Sequence, residues 1–222
     1  MKVVLADGTI IKAGGRVVKN VAGYDLCKLF TGSLGTLGVI AQLNFKLRPR
    51  PECESTVVLD APLHELPQIA QSIVSAGLFP VAAEIVSPPF ASLLDIATNR
   101  PVLLVRFAGN EVGVKYQVER ALALSDGGEV ITEDAQLWKQ IAAVPMQYST
   151  AWHVSMLPSE LAAFCKTIDV PDAVWQIGAA DGRIRMMDDR VKNPVMDRGN
   201  AGFLMDRVKQ QLDPTNKFGV YR

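Results

Sequence analysis

Histidine, cysteine and excess charge are all scarce in this 222-residue chain, and each shortage closes a class of function. Its two histidines, His64 and His153, stand far apart, and its three cysteines, Cys27, Cys53 and Cys165, form no CxxC pair. Zinc and iron centres draw on clustered His and Cys ligands, so no metal site is expected. An odd number of cysteines leaves one thiol unpaired under any single disulfide and fits a reducing, cytoplasmic setting. Lys plus Arg number 23, as do Asp plus Glu, so no basic surplus is available to neutralise a phosphate backbone and nucleic acid is not an expected partner. No run of about eighteen apolar residues occurs, which leaves no membrane-spanning helix to expect. At the N-terminus Asp7 arrives before a signal-peptide core could form. Short tandem repeats and low-complexity segments are also lacking.

What the chain does have is apolar sequence, 49% of residues, divided into short segments by charges, Gly and Pro. Val3–Ala6 and Thr9–Ile11 flank Asp7-Gly8, a spacing that predicts a β-hairpin with a two-residue turn. Asp25–Phe30 reads as one or two helical turns closed by Gly32. From Val39 the pattern alternates, with Val39, Ala41, Leu43, Phe45 and Leu47 on one face, and predicts a half-buried strand. It ends at Arg48-Pro49-Arg50-Pro51, where two prolines remove backbone donors, and this is the expected domain boundary.

Beyond the prolines, strands and helices alternate. Strands are expected at Thr56–Leu59, Val81–Val86, Val102–Phe107, Glu129–Thr132 and Ala151–Met156. Between them, helical spacing links Leu66, Ile69, Ala70 and Ile73, then Val114, Val118, Ala121 and Leu122, then Leu137 and Ile141. A helix capped by Ser159 would bury Leu161, Phe164, Cys165 and Ile168. Val174–Ile177 and Arg183–Met187 read as a hairpin around Asp181-Gly182, and a last helix carries Leu204, Val208 and Leu212 up to Asp213-Pro214. The expected class is α+β, with an antiparallel, ferredoxin-like sheet covered by helices over residues 51–200.

Gly14–Ile40 holds six glycines in 27 positions, a density that lets backbone approach a ligand and leaves N–H groups free to point at it. Gly32, Gly35 and Gly38 have GxxGxxG spacing and precede a strand, whereas a dinucleotide fingerprint has GxGxxG spacing and follows one. Spacing alone therefore names no ligand.

Residue identity adds more. Gly14 and Gly15 open a GGRVVKN run. Lys19, Asn20, Gly23, Tyr24, Asp25 and Leu26 form a KNxxGYDL element, and Gly32, Ser33, Gly35, Thr36, Leu37, Gly38, Val39 and Ile40 form GSxGTLGVI. Together these resemble FAD-linked oxidases of the vanillyl-alcohol oxidase type, in the branch containing glycolate oxidase, D-lactate dehydrogenase and 2-hydroxyglutarate dehydrogenase. GGRVVKNVAGYDL with GSLGTLG is most similar to the FAD-binding subunit of glycolate oxidase. The resemblance is strong over the first fifty residues, weaker beyond them, and returns at LDPTNKFGVYR, where Asp213, Pro214 and Arg222 keep part of a DPxxxxNPGR-like tail.

The resemblance implies FAD as cofactor, with Gly14, Gly15, Lys19, Asn20, Gly23, Tyr24, Asp25, Gly32, Ser33, Gly35, Thr36, Gly38, Val39 and Ile40 forming its wall. It implies residues 1–50 as the C-terminal part of a PCMH-type FAD-binding domain, 51–200 as the cap, and 201–222 as a helix and tail returning to the flavin side. A small 2-hydroxy acid would be the substrate. Other subunits of a glycolate oxidase-like complex, including an electron-transfer partner, would be the partners, and any membrane association would come through them. Relatives also carry a glycine-rich pyrophosphate loop ahead of the matched part, so the chain reads as lacking the N-terminal half of that domain. Larger relatives have a GDGN-like element with metal-binding histidines where IGAADGRIRM stands here without one. The catalytic base is unassigned. Arg106, Arg183 and Arg185 are guanidiniums able to fork onto a carboxylate, with a solvated face as the plainer reading of each. Lys19 and Lys28 stand in the same relation to flavin or phosphate oxygens. A non-catalytic cap or scaffold module, or a gene remnant without FAD, is the alternative.

Overall fold

The computed structural model describes residues 1–15, 25–125, 127–148, 152–168, 170, 172–188 and 199–219. Ten strands and seven helices follow one another among them. In chain order they are β1 (Lys2–Val4), β2 (Ile10–Lys12), α1 (Leu26–Phe30), β3 (Val39–Gln42), β4 (Cys53–Asp60), α2 (Leu66–Ser75), β5 (Ala82–Val86), α3 (Pro88–Ser92), β6 (Val102–Gly109), α4 (Glu111–Leu124), β7 (Glu129–Thr132), α5 (Ala135–Ala143), β8 (Trp152–Ser155), α6 (Leu161–Cys165), β9 (Trp175–Gly178), β10 (Arg183–Met186) and α7 (Gly199–Leu212). They divide into two compact units, Met1–Pro49 with Met196–Arg222, and Arg50–Val195.

The first unit is a three-stranded sheet of order β2-β1-β3, antiparallel throughout. Its core gathers Val3, Phe30 and Leu37, with Leu26, Val208 and Leu212 packed against them, so α7 closes a core that the first forty residues begin. The hairpin forms with a longer loop than expected. Leu5 N–H donates to the Thr9 carbonyl at 2.9 Å and Gly8 N–H donates to the Leu5 carbonyl at 3.0 Å, so the loop is Ala6, Asp7 and Gly8. Only Gly8 takes a positive φ, while the Asp7 carboxylate accepts the Thr9 N–H at 2.8 Å. The Thr9 hydrogen bonds hold the Asp7 carboxyl below its ordinary range.

The expected strand over Val39–Leu47 is cut to Val39–Gln42, all four residues of which are exposed. Phe45 and Leu47 are 77% and 85% exposed. The alternation is real, but an apolar strand face becomes half-buried only where a second layer covers it, and the described residues place none there.

The second unit is a seven-stranded antiparallel sheet of order β7-β4-β6-β5-β9-β10-β8. β4-α2-β5-β6-α4-β7 is a βαββαβ unit whose strands lie in the order fourth, first, third, second, which is the ferredoxin-like arrangement. β8-α6-β9-β10 repeats its first three strands, as β8-β10-β9, and the two halves meet where β5 pairs with β9. Alternation sorts the side chains. Val57, Leu59, Ile85, Leu103, Val105, Phe107, Ile177 and Ile184 face α2, α4 and α6, while Val58, Val86, Val102 and Leu104 face α3 and α5. Two layers of helix on one sheet explain why Val102–Phe107 is a nearly unbroken apolar run.

Caps follow the expected chemistry at Ser87 and Asn110, whose side chains accept the Phe90 and Gly113 N–H groups at 3.3 and 2.7 Å. Ser159 is no cap. It lies inside a 3-10 turn, Pro158–Glu160, because Pro158 starts the turn one residue early and α6 then runs only from Leu161 to Cys165. Leu161 and Cys165 are buried as expected, with Phe164 and Ile168 partly so, and burial pushes the Cys165 thiol up to about 11. A thiol held protonated in this way is a packing residue.

Candidate cofactor wall

The glycine-rich segment lies wholly in the first unit, and its second half is a chain of local devices. Gly14 sits against α1, with Cys27 Sγ 2.9 Å from where a Cβ would stand. Asp25 caps α1, accepting the Lys28 N–H at 3.4 Å, and its carboxylate also pairs with Lys28 Nζ at 3.5 Å. The Lys28 side chain is 87% exposed, so the solvated reading holds for it. Helix α1 ends after Phe30, whose side chain is fully buried.

Ser33–Thr36 then forms a tight turn. Leu34 and Gly35 both have positive φ, 51° and 77°, and Thr36 N–H and Oγ1 both donate to the Ser33 carbonyl, at 2.9 and 2.8 Å. Two successive positive φ values make this a type I′ turn. A leucine pays for that conformation where a glycine does not, and Leu34 is 65% exposed, so no apolar contact repays it. The Leu34 and Gly35 N–H groups find no acceptor among the described residues, and adjacent donors of this kind can receive an anion or a carbonyl oxygen. At Gly38 a Cβ would stand 2.8 Å from Val3 Cγ1 and 3.1 Å from the Val4 carbonyl oxygen, so a side chain there would push β3 off β1.

Asp25, Gly32, Ser33, Gly35, Thr36, Gly38, Val39 and Ile40 therefore lie along one stretch, from the cap of α1 through the turn to β3, while Gly14 packs on α1 and Gly15 follows it. Lys19, Asn20, Gly23 and Tyr24 fall outside the described residues.

Two residues that spacing did not mark hold this stretch in place. Lys209 Nζ, on α7, donates to the Thr36 carbonyl at 2.7 Å, to Asp213 Oδ2 at 2.6 Å and to the Phe218 carbonyl. Asp213 accepts in turn the Lys217 and Phe218 N–H groups, each at 2.8 Å. Burial alone would raise the Asp213 carboxyl, but Lys209 and the Phe218 and Lys217 amides outweigh it and hold the carboxyl below its ordinary range. The signal in the sequence was a Lys-Asp pair four residues apart at a helix end, which is too common to single out.

The three arginines singled out in the second unit, Arg106, Arg183 and Arg185, separate. Arg106 is neither solvated nor free. Its Nη2 pairs with Asp134 Oδ1 at 2.8 Å and Glu54 Oε2 at 3.0 Å, and its guanidinium lies 5.5 Å from the Trp138 ring centre. Arg183 pairs with Asp181 at 2.6 Å and approaches Glu84 at 3.6 Å. Arg185 is half-buried, opposite Gln176 on β9 and His153 on β8, with no ion-pair partner among the described residues.

Glu84 lies at the seam between the two halves of the sheet. Burial pushes its carboxyl up, and the Gln176 hydrogen bond at 3.0 Å and the nearby Arg183 charge pull it only partly back. The Gln176 Oε1 atom, meanwhile, is buried without a donor. Glu84→Gln removes the buried charge while keeping an acceptor for Gln176 Nε2, and is expected to stabilise the protein at pH 7.5. A carboxyl raised by folding contributes most below its unfolded value and loses that contribution as pH rises through its folded value. The gain from Glu84→Gln should therefore shrink as pH falls towards 4.5, and urea melts at pH 4.5 and 7.5 measure both limbs.

No family model matches the chain. It is 33% identical over 140 residues to glycolate oxidase subunit GlcD of Bacillus subtilis, covering 60% of this chain and 30% of that protein. It is 27% identical to glycolate oxidase subunit GlcE of Escherichia coli over 100% of this chain and 63% of that one. An FAD-linked oxidoreductase of Mycobacterium tuberculosis is 37% identical over 83 residues, 36% of this chain and 18% of that protein. Among solved structures, alkyldihydroxyacetonephosphate synthase superposes with a TM-score of 0.59 at 12% identity, over 100% of this chain and 52% of that chain. The α+β fold with antiparallel sheets is thus the fold of that enzyme, and the chain spans less than two thirds of each relative's length. No helix among the described residues is long and apolar enough to cross a membrane, and no group of three His, Cys, Asp or Glu among them could hold a metal ion.

Proposed function

We propose that the chain belongs to an FAD-binding subunit of a glycolate oxidase-like, flavin-dependent 2-hydroxy acid oxidoreductase, with the first unit on the flavin side and the second as the cap. The observation that carries this reading is the turn at Ser33–Thr36. It leaves the Leu34 and Gly35 N–H groups without an acceptor among the described residues, inside a chain similar over its whole length to a glycolate oxidase subunit. The residues present fit the cofactor, because two adjacent backbone donors without an acceptor among the described residues suit its acceptor oxygens, and the bare backbone at Gly35, with nothing within 4 Å of a Cβ, admits a flat ring or a phosphate.

FAD, when bound, would accept the hydride from C2 of the hydroxy acid. The protein's own part is binding and orientation. Leu34 and Gly35 donate to the cofactor, Gly38 keeps β3 seated on β1, and Asp25 fixes the start of α1. For the substrate carboxylate the second unit offers Arg185, since Arg106 and Arg183 are already engaged. Electrons would leave to a partner subunit of the complex, in the cytoplasm, where three free thiols are at home.

Affinity for FAD is expected to be low in these 222 residues. Each charge-assisted hydrogen bond to a pyrophosphate is worth about 1.5–3 kcal/mol, and the cation nearest the turn in sequence among the described residues, Lys28, is turned to solvent and paired with Asp25. Amide hydrogen exchange at increasing FAD tests the reading. Slowed exchange at residues 33–40 in the high-micromolar range, with β4 and β6 unchanged, is the expected result. Unchanged exchange at residues 33–40 in millimolar FAD would favour the scaffold reading instead.

A further inference from the structure

We infer that Lys209 is a positioning residue for the cofactor wall, holding the Ser33–Gly38 turn in its receptive shape through the Thr36 carbonyl. The inference rests on the flavin reading above and goes beyond it, by making the last helix and its tail part of the binding apparatus.

The turn itself is poorly supported by its own contacts. Its tip is exposed, it contains a leucine at positive φ, and its internal hydrogen bonds all converge on the Ser33 carbonyl. A conformation of that kind persists when the surroundings over-determine it. The carbonyl of Thr36, the residue that closes the turn, points inward to Lys209 Nζ at 2.7 Å across 173 residues of sequence. Holding that carbonyl restrains the C-terminal end of the turn, next to the Leu34 and Gly35 N–H groups that have no acceptor among the described residues.

Lys209 is itself fixed from the other side. Its ammonium is shared among Thr36, the Asp213 carboxylate and the carbonyls of Phe218 and Gly219. The Asp213 side chain is fully buried, and Lys217 adds a second tie by donating to the Ala6 carbonyl at 2.8 Å. An ammonium with three donors can join three segments at one point, and no neutral side chain of similar length does this. A buried lysine stem also packs as an apolar residue would. The charge and its directed hydrogen bonds are thus what methionine at this position would lack.

The experiment compares wild type, Lys209→Met and Lys209→Arg in the full chain, reading amide exchange with and without FAD. Melting followed by far-ultraviolet circular dichroism confirms that each variant is folded. In Lys209→Met, residues 34–40 are expected to exchange at least tenfold faster without FAD. About tenfold more FAD should then be needed for half-maximal protection, with exchange in β4 and β6 unaltered. Lys209→Arg, which keeps charge and donors, should recover most of both effects. Unchanged exchange in the turn of Lys209→Met would overturn the inference, and so would a loosened turn with undiminished FAD protection. If wild type shows no FAD protection at all while the turn still loosens in Lys209→Met, the flavin reading has failed and the positioning role falls with it. That result is told apart by being a property of the wild type.

Discussion

Arg106→Met is expected to destabilise the second unit by about 3–5 kcal/mol, because it leaves the Asp134 carboxylate buried with its strongest partner gone. The network is closed on all sides. Arg106 Nε and Nη2 both reach Asp134 Oδ1, at 3.0 and 2.8 Å. Trp138 Nε1 donates to Thr56 Oγ1 at 2.8 Å, and Thr56 Oγ1 in turn donates to Asp134 Oδ2. The Asp134 side chain has no exposed surface, so water cannot take the place of the guanidinium. All three tryptophans, Trp138, Trp152 and Trp175, lie between Arg50 and Val195. Urea unfolding followed by their fluorescence therefore reads this unit alone. The double variant Arg106→Met, Asp134→Leu is expected to recover at least half of the loss, since removing both charges leaves nothing unpaired. A single-variant loss below about 1 kcal/mol would show that Asp134 finds another partner.

Gly182→Ala should do comparable or greater damage by a different route. A Cβ at Gly182 would stand 1.9 Å from the Met156 carbonyl oxygen and 3.0 Å from its carbon, and φ there is 72°. The same residue is tied in on both sides. Its N–H donates to the Gly178 carbonyl at 2.8 Å and its carbonyl accepts the Met156 N–H at 3.1 Å. Relief requires the backbone of β8 and β10 to separate where their ladder begins, at Arg183 opposite Ser155. We expect a loss of at least about 4 kcal/mol, or failure to accumulate as soluble protein. Gly77→Ala is the matched control. Its φ is 77° with nothing within 4 Å of a Cβ, so it should cost only the backbone term of about 1–2 kcal/mol. Similar melts for the two alanine variants would mean that the close contact at Met156 is relieved at little cost.

The elements of the second unit were legible because each is a run of uniform period between turn residues. Helix α4, for example, shows Val114, Val118 and Ala121 on one face between Asn110 and the glycines at 127 and 128. The hairpin at Asp7 was legible as a hairpin but not in its loop length, because Asp-Gly serves both a two-residue turn and the last two places of a three-residue loop. The strand after Val39 failed for a different reason. Alternation reports which face a strand would bury, and whether anything covers that face is a tertiary fact. Arg106 shows the converse. A cation within an apolar strand has no sequence signature for its partners, and Glu54 and Asp134 lie 52 and 28 residues away. The stretch from Asp25 to Ile40 was singled out through residue identity, while its tie to Lys209 depends on a contact spanning most of the chain.

That span has a consequence for synthesis on the ribosome. Val3, Phe30 and Leu37 emerge early, but the residues that complete their core, Val208 and Leu212, are made about 160 residues after Pro49. At 5–20 residues per second the opening segment waits roughly ten to thirty seconds for its other half. In that interval residues 50–195 can complete a unit of their own. Residues 1–49 thus leave the tunnel before residues 50–195 but become native after them, and wait the longer of the two for the partners of their apolar side chains.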